Sequence, residues 1–345
     1  MNAKKVVPNN ENSLLRKAIK NENFTLFIAL LVIICIFSFL NQNYFKLTTF
    51  KNLLTFGSLV GLIAVGEAML LIAGYMDLSP GSTAALSGVI VALLLAAGVP
   101  IILSIAIVLV IGAVIGAINA FFVTNLKISA FIATLASQSI YRGVAQLLTN
   151  GKSISISNKA FINLGKPIIQ VAEKGLYKDI MNLFSYPILI MIIAFIAYAI
   201  LLRKTRFGRE IYIVGGNPNA ARLAGISVNK TSYALFMNMS ILAALGGIIL
   251  AARMQNGNPA ACLNLEFEGI TAAILGGVAM SGGFGSMTGV VLGIFILQGF
   301  NTGLVMINVP TFWQGVARGV LLILALSADY FRGVQRAKKK KVAIK

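Results

Sequence analysis

The stretch LLTFGSLVGLIAVGEAMLLIAGYMDLSPGSTAALSGVIVALLLAAGV, residues 53–99, decides the fold class. Two apolar blocks, 53–73 and 82–99, flank the interruption AGYMDLSPGS. Each is close to the roughly 20 apolar residues that a helix needs to cross a bilayer. Both are continuously apolar, whereas the strands of a membrane barrel alternate apolar and polar residues. One such run would suit a buried helix of a soluble domain. Further runs at 24–40, 101–124, 184–202, 233–252 and 312–328 make seven, too many for any soluble core of 345 residues. Composition agrees: 58% of the residues are hydrophobic and 11% charged, against about 25% charged in soluble domains. The fold class is therefore all-α, a polytopic transmembrane helical bundle. The run from Phe24 follows a long polar tail without the basic, apolar, small-residue order of a cleaved signal, so it reads as a retained helix.

The formal net charge of +19 would suggest nucleic acid in a soluble protein. Here the basic residues flank the apolar runs, and no nucleic-acid partner is expected. Lys4, Lys5, Arg16, Lys17 and Lys20 precede the first run, Arg203 to Lys230 follow the fifth, and Arg332 to Lys345 follow the last. Lys and Arg excess marks the cytoplasmic side. Both termini are expected inside, with a tail at 1–23, a membrane domain at 24–330 and a basic tail at 331–345. An even number of crossings then requires weaker segments: 130–149, 270–280 and 288–301, giving about ten helices. Residues 150–183, with five lysines, fall outside on that count and oppose the charge rule; they also carry an expected interfacial helix near 165–184.

Two interruptions stand out. In AGYMDLSPGS, Asp77, Ser79, Pro80 and Gly81 break the helix; in GNPAACLNLEFEGI, residues 257–270, Glu266 and Glu268 precede a glycine-rich run. Broken helices at membrane depth persist only where protein or a cavity satisfies the freed backbone groups, and in transporters they often line the path. Residues 130–149 place Gln138, Arg142 and Gln146 at every fourth position, on one helical face. An arginine there faces protein or water, or snorkels to an interface. Path or broken-helix candidates are thus Glu67, Asp77, Ser79, Gln138, Arg142, Glu266 and Glu268, with Arg142 expected to pair with Asp77 or Glu67. The 33 glycines, with Gly57 and Gly61, Gly112 and Gly116, and Gly289 and Gly293 four apart, suit close helix packing.

There is no histidine, hence neither the commonest metal ligand nor the commonest catalytic base. Cys35 and Cys262 read as unpaired. No catalytic, cofactor or metal residue is expected. No G-x-x-x-x-G-K-[ST] loop occurs, so any ATP hydrolysis has to come from another polypeptide. In the basic loop 203–232, Asn217 or Asn219 can cap a short helix over NAARLAG, and Gly225 can end it.

Four stretches, in order, resemble the permease subunits of bacterial sugar ABC importers, the ribose permease family. They are AGYMDLSPGS at 73–82, AFIATL at 130–135, KTRFGREIYIVGGNPNAARLAGI at 204–226 and LEFEGITAAILGGVAMSGGFGSMTG at 265–289. The similarity spans about residues 24–330. Departures occur at Ser129 and Ala130, where the family has prolines; at Pro80, commonly valine; and at Glu266-Phe267-Glu268, usually Glu-Leu-Asp. The resemblance implies a permease without chemistry of its own in the bacterial inner membrane, paired with a second permease. A cytoplasmic ABC ATPase and an extracytoplasmic sugar-binding protein would complete the importer. Arg206, Gly208, Gly215, Gly216, Asn217, Ala221 and Gly225 then belong to the ATPase-coupling loop. Nucleosides, autoinducer sugars and inositol are alternative solutes. An ion-coupled transporter, the other reading, would typically show an internal repeat, and no convincing one is present.

Overall fold

The computed structural model describes residues 22–168, 180 and 184–343. Thirteen helices are found there. The first five are α1 (Glu22–Leu40), α2 (Leu47–Ile72), α3 (Pro80–Ala96), α4 (Ile101–Thr124) and α5 (Ala130–Thr149). Two short ones, α6 (Lys159–Asn163) and α9 (Pro218–Leu223), and the amphipathic α8 (Arg206–Gly216) lie between longer elements. The rest are α7 (Tyr186–Lys204), α10 (Val228–Met254), α11 (Leu265–Leu275), α12 (Met287–Met306) and α13 (Thr311–Ala343). A two-residue strand pair, β1 (Ile154–Ser155) with β2 (Asn256–Gly257), is antiparallel, with Ile154 opposite Gly257.

Among the described residues, seven helices are long and apolar enough to cross a membrane: α1, α2, α4, α7, α10, α12 and α13 through Val334. The other three segments of the ten-helix expectation, 82–99, 130–149 and 270–280, fall short for different reasons, whereas the weaker segment 288–301 belongs to the long α12. Helix α3 has 17 residues because Pro80, which has no N–H to leave unpaired, opens it. Helix α5 is long enough but carries polar groups. Helix α11 has only 11 residues. The interfacial helix expected near 165–184 lies largely outside the described residues.

Burial sorts the helices into centre and periphery. In α2, 83% of the spanning window is buried, against 6% in α1 and in α13. Helix α10 packs along α4, α3 and α2, while α11 packs on α2 and α12. The glycine pairs set these distances. A Cβ on Gly116 would meet the Phe236 carbonyl and Met237 of α10, and one on Gly293 would collide with the Ala272 carbonyl of α11. Gly57 faces α12 and Gly61 faces Met191 of α7, so that pair serves two neighbours rather than one seam.

The bundle has a basic end, carrying α8, α9 and the 203–230 loop. There Gly283 N–H donates to the Ile72 carbonyl at the end of α2 (2.8 Å), and Tyr212 of α8 donates to the Gly285 carbonyl (2.8 Å). Arg332 near the end of α13 donates to the Ile274 carbonyl (3.0 Å). Asn23, at the start of α1, lies beside Arg203 and Tyr212. The opposite end holds the end of α1, where Asn41 donates to the Met306 carbonyl of α12 (2.7 Å). It also holds the end of α10, where Arg253 donates to the Thr55 carbonyl (3.2 Å). The described chain therefore starts and finishes at the same end.

Candidate functional site: the junction of two broken helices

After α2 reaches the basic end at Ile72, residues 73–79 turn back into the bundle and α3 starts there. After α10 reaches the opposite end, residues 255–264 turn inward and α11 starts. The two starts meet. A Cβ on Gly81, in the first turn of α3, would collide with Glu266 Oε2 and would lie 2.6 Å from the Cys262 carbonyl oxygen. The two interruptions read separately in the sequence thus form one junction. Both helices present their N-terminal, positive dipole ends to it, and buried acids stand beside those ends.

On the α3 side, Asp77 Oδ1 accepts from Ser79 N–H (2.8 Å) and Ser79 Oγ (2.7 Å). Ser79 Oγ accepts in turn from Asn119 Nδ2 of α4 (2.9 Å), and Asn119 Oδ1 accepts from the Tyr141 hydroxyl of α5 (3.0 Å). Thr134 Oγ1 accepts from Leu78 N–H (2.9 Å). Ser79 Oγ and the Leu78 N–H of the break thus find partners on α4 and α5.

On the α11 side, Gln138 Nε2 donates to Glu266 Oε1 (2.7 Å). Arg142 donates from Nη1 to the carbonyls of Pro259 (2.8 Å) and Ala261 (2.5 Å). Its expected pairing with Asp77 or Glu67 is not what forms; the carbonyls of the inward-turning segment are its partners. That segment needs support, because Cys262 (φ 59°) and Asn264 (φ 61°) hold left-handed conformations that side chains rarely adopt. Gln146, on the same face as Gln138 and Arg142, is exposed.

Glu67, Asp77, Ser79 and Glu266 are each 0% exposed. Among the described residues, Asp77 Oδ2 and Glu266 Oε2 have no hydrogen-bond partner. The junction therefore retains acceptor capacity. Glu268, two residues on, faces away from it: Arg318 of α13 pairs with its Oε1 (3.1 Å), and Gln298 of α12 donates to Oε2 (3.4 Å). The sequence reading did not single out Asn119, Tyr141, Gln298 or Arg318, which lie on α4, α5, α12 and α13. Among the described residues, no group of three His, Cys, Asp or Glu is placed to hold a metal ion.

At the basic end the seven loop candidates divide. Thr205 caps α8 through Gly208 N–H (3.0 Å). A Cβ on Gly208 would collide with the Leu201 carbonyl, and one on Gly215 with the Ile72 carbonyl. Ala221 is buried with Val214 and Val228. These three are packing residues. Arg206, Gly216, Asn217 and Gly225 are on the surface, and nothing lies within 4 Å of a Cβ at Gly216. Arg206 pairs with Glu210 (3.1 Å). Asn217 caps α9 by accepting from Asn219 and Ala220 N–H, and Gly225 (φ 76°) follows its end. Leu223 is 92% exposed, an apolar side chain standing out from a polar surface.

A polytopic bundle with a polar junction between two broken helices defines a class, that of membrane transport proteins. Residues 49–326 match the family described as branched-chain amino acid transport system, permease component. The chain belongs to this family, as a bacterial ABC-transporter permease of the inner membrane with no catalytic activity of its own. It is 36% identical to the L-arabinose ABC transporter permease of Azospirillum brasilense, over 83% of this chain and 81% of that one. It is 33% identical to the ribose import permease of Haemophilus influenzae, over 90% and 94%. The xylose transport permease of the same organism is 32% identical, over 91% and 97%.

Proposed function

We propose that this chain is the membrane permease of an ATP-driven importer for a monosaccharide, of ribose, xylose or arabinose type. Support comes from relatives named for those three sugars along nearly the whole chain. The observation that carries a translocation role is the junction, where two broken helices leave the buried carboxylate oxygens Asp77 Oδ2 and Glu266 Oε2 without partners among the described residues. Lipid-facing positions do not tolerate such groups.

The topology is ten passages, with 73–96 and 255–275 each forming one passage from a re-entrant segment and a short helix. Both termini are cytoplasmic: the described chain starts and finishes at the basic end, and Lys and Arg mark the inside. Domain limits are 1–23, 24–330 and 331–345. An ABC ATPase docks at the surface of α8 and α9, with Leu223 as its apolar contact. An extracytoplasmic sugar-binding protein delivers solute at the opposite end, and a second permease copy, identical or not, completes the complex in the lipid. Glu67, Asp77, Ser79, Gln138, Arg142 and Glu266 shape the path at the junction, and Glu268 shapes it on the α12 and α13 side.

The test is uptake by right-side-out vesicles containing the complete transporter. Labelled D-ribose, D-xylose or L-arabinose accumulates only with the binding protein present. Accumulation of none of the three, with the complex assembled, contradicts the sugar reading. Topology is checked with single cysteines in each tail, in a chain lacking Cys35 and Cys262. A membrane-impermeant thiol reagent leaves both tails unlabelled in these vesicles, and labelling of either one contradicts the ten-passage arrangement.

A further inference from the structure

A cavity of about 480 Å³ opens between α2, α11, α12 and α13, outside the junction. It lies toward the end opposite the basic loops, because it uses the first turns of α2, the second half of α12 and the start of α13. Asn52 and Phe56 of α2, Gln298 and Asn301 of α12, Glu268 of α11 and Arg318 of α13 line it. The size is within the range of small-molecule sites.

Three features select the occupant. First, the charges cancel. Glu268 and Arg318 form an ion pair at 3.1 Å, so an anion would meet the carboxylate and a cation the guanidinium, and neither gains a free counter-charge. Second, the side-chain amides both donate and accept, as does a hydroxyl group. Asn301 Oδ1 and Arg318 Nε are buried without a partner, which supplies one acceptor and one donor already removed from water. Third, Phe56 is 60% exposed, and its ring is held by the Arg253 guanidinium 5.0 Å from its centroid. A neighbouring cavity of about 220 Å³, between α2, α7 and α12, is lined by Leu53, Met191 and Phe195 with apolar side chains throughout, and has none of these groups.

We propose that the larger cavity is an entry site for a neutral polyhydroxylated solute, a monosaccharide, on the extracytoplasmic half of the permease. The site rests on the sugar-importer reading above. Its polar wall is reached from the face at which a binding protein would release sugar, before the solute meets the junction.

The test uses whichever of D-ribose, D-xylose and L-arabinose the complete wild-type transporter accumulates. Asn52→Leu and Asn301→Leu keep side-chain size and remove the hydrogen-bonding amide. Each lowers kcat/KM for uptake about tenfold, the equivalent of one lost hydrogen bond to solute, at unchanged protein level and unchanged co-purification of the ATPase. Leu53→Met in the apolar cavity leaves uptake within about twofold. Should either Leu variant fold poorly, Asn301→Cys in the Cys35→Ala, Cys262→Ala background replaces it. A membrane-impermeant methanethiosulfonate then blocks uptake, and saturating sugar slows the block. Wild-type kcat/KM in both Leu variants, or modification of Asn301→Cys without loss of uptake, overturns the entry site while leaving the importer intact. No uptake of any of the three sugars by an assembled wild-type transporter overturns the sugar reading itself, and the entry site with it.

Discussion

Arg142→Ala is expected to lower sugar uptake by more than tenfold at normal protein level. Its guanidinium supplies hydrogen bonds to the Pro259 and Ala261 carbonyls. Without it, two inward carbonyls lose their charged donor, at about 1–3 kcal/mol for each group left unsatisfied. The same segment holds Cys262 and Asn264 at positive φ, so relaxing it costs little and moves the start of α11. Glu266 and Glu268 move with it, one from the junction and one from the Arg318 pair. Arg142→Lys, which can reach one carbonyl, recovers part of the activity. Because the partners are carbonyls, the losses from Arg142→Ala and Asp77→Asn add; a strongly non-additive pair in a double-mutant cycle would restore the acid pairing read from the sequence. Uptake unchanged by Arg142→Ala would make this arginine an anchor only.

Leu223→Asp is expected to abolish ATPase co-purification while the permease still inserts and folds. Leu223 is 92% exposed on the six-residue α9, whose inner side is fixed by Ala221 against Val214 and Val228. An apolar anchor at the centre of a docking surface typically contributes 2 kcal/mol or more, about a thirtyfold change in affinity. Gly216→Ala, with open space around it, tests the same surface mildly. Gly215→Ala reports something else, since its Cβ would strike the Ile72 carbonyl; that variant loses folded protein, measured as yield of monodisperse material in detergent. Normal ATPase co-purification with Leu223→Asp places the contact elsewhere.

The division between Gly215 and Gly216 shows where sequence reading stops. Adjacent glycines in a basic loop look alike, and only the return of Ile72 and Gly283 to that point makes one a packing residue. Local signals carried well: Asn217 is the cap of α9, Gly225 takes positive φ after it, and Pro80 opens α3, each because one backbone requirement has a characteristic residue. Six of the seven apolar runs became long helices for the same reason, since span length is a local property; run 82–99 holds the shorter α3 instead, and the long α12 came from the weaker segment 288–301. The breaks at 73–82 and 257–270 were legible as breaks, but their meeting was not, because it depends on how α3 and α11 pack around α2. Arg142 was legible as a cation that faces protein or water or snorkels to an interface, with an acid as its expected partner. Acids were the expected ones; backbone carbonyls, which no sequence pattern marks, took their place. Gln298, Asn301 and Arg318 were not singled out, because the cavity they line exists only once α12 and α13 stand beside α2 and α11.

The most direct measurement of the central claim separates the energy source. Right-side-out vesicles with the complete transporter are loaded with ATP and an ATP-regenerating system, treated with an uncoupler that collapses the ion gradients, and given labelled sugar with the binding protein. Uptake is expected to persist under the uncoupler, to disappear when ATP is omitted and to disappear when the ATPase subunit is absent. Uptake driven by an imposed ion gradient, with neither ATP nor the ATPase present, would contradict the claim.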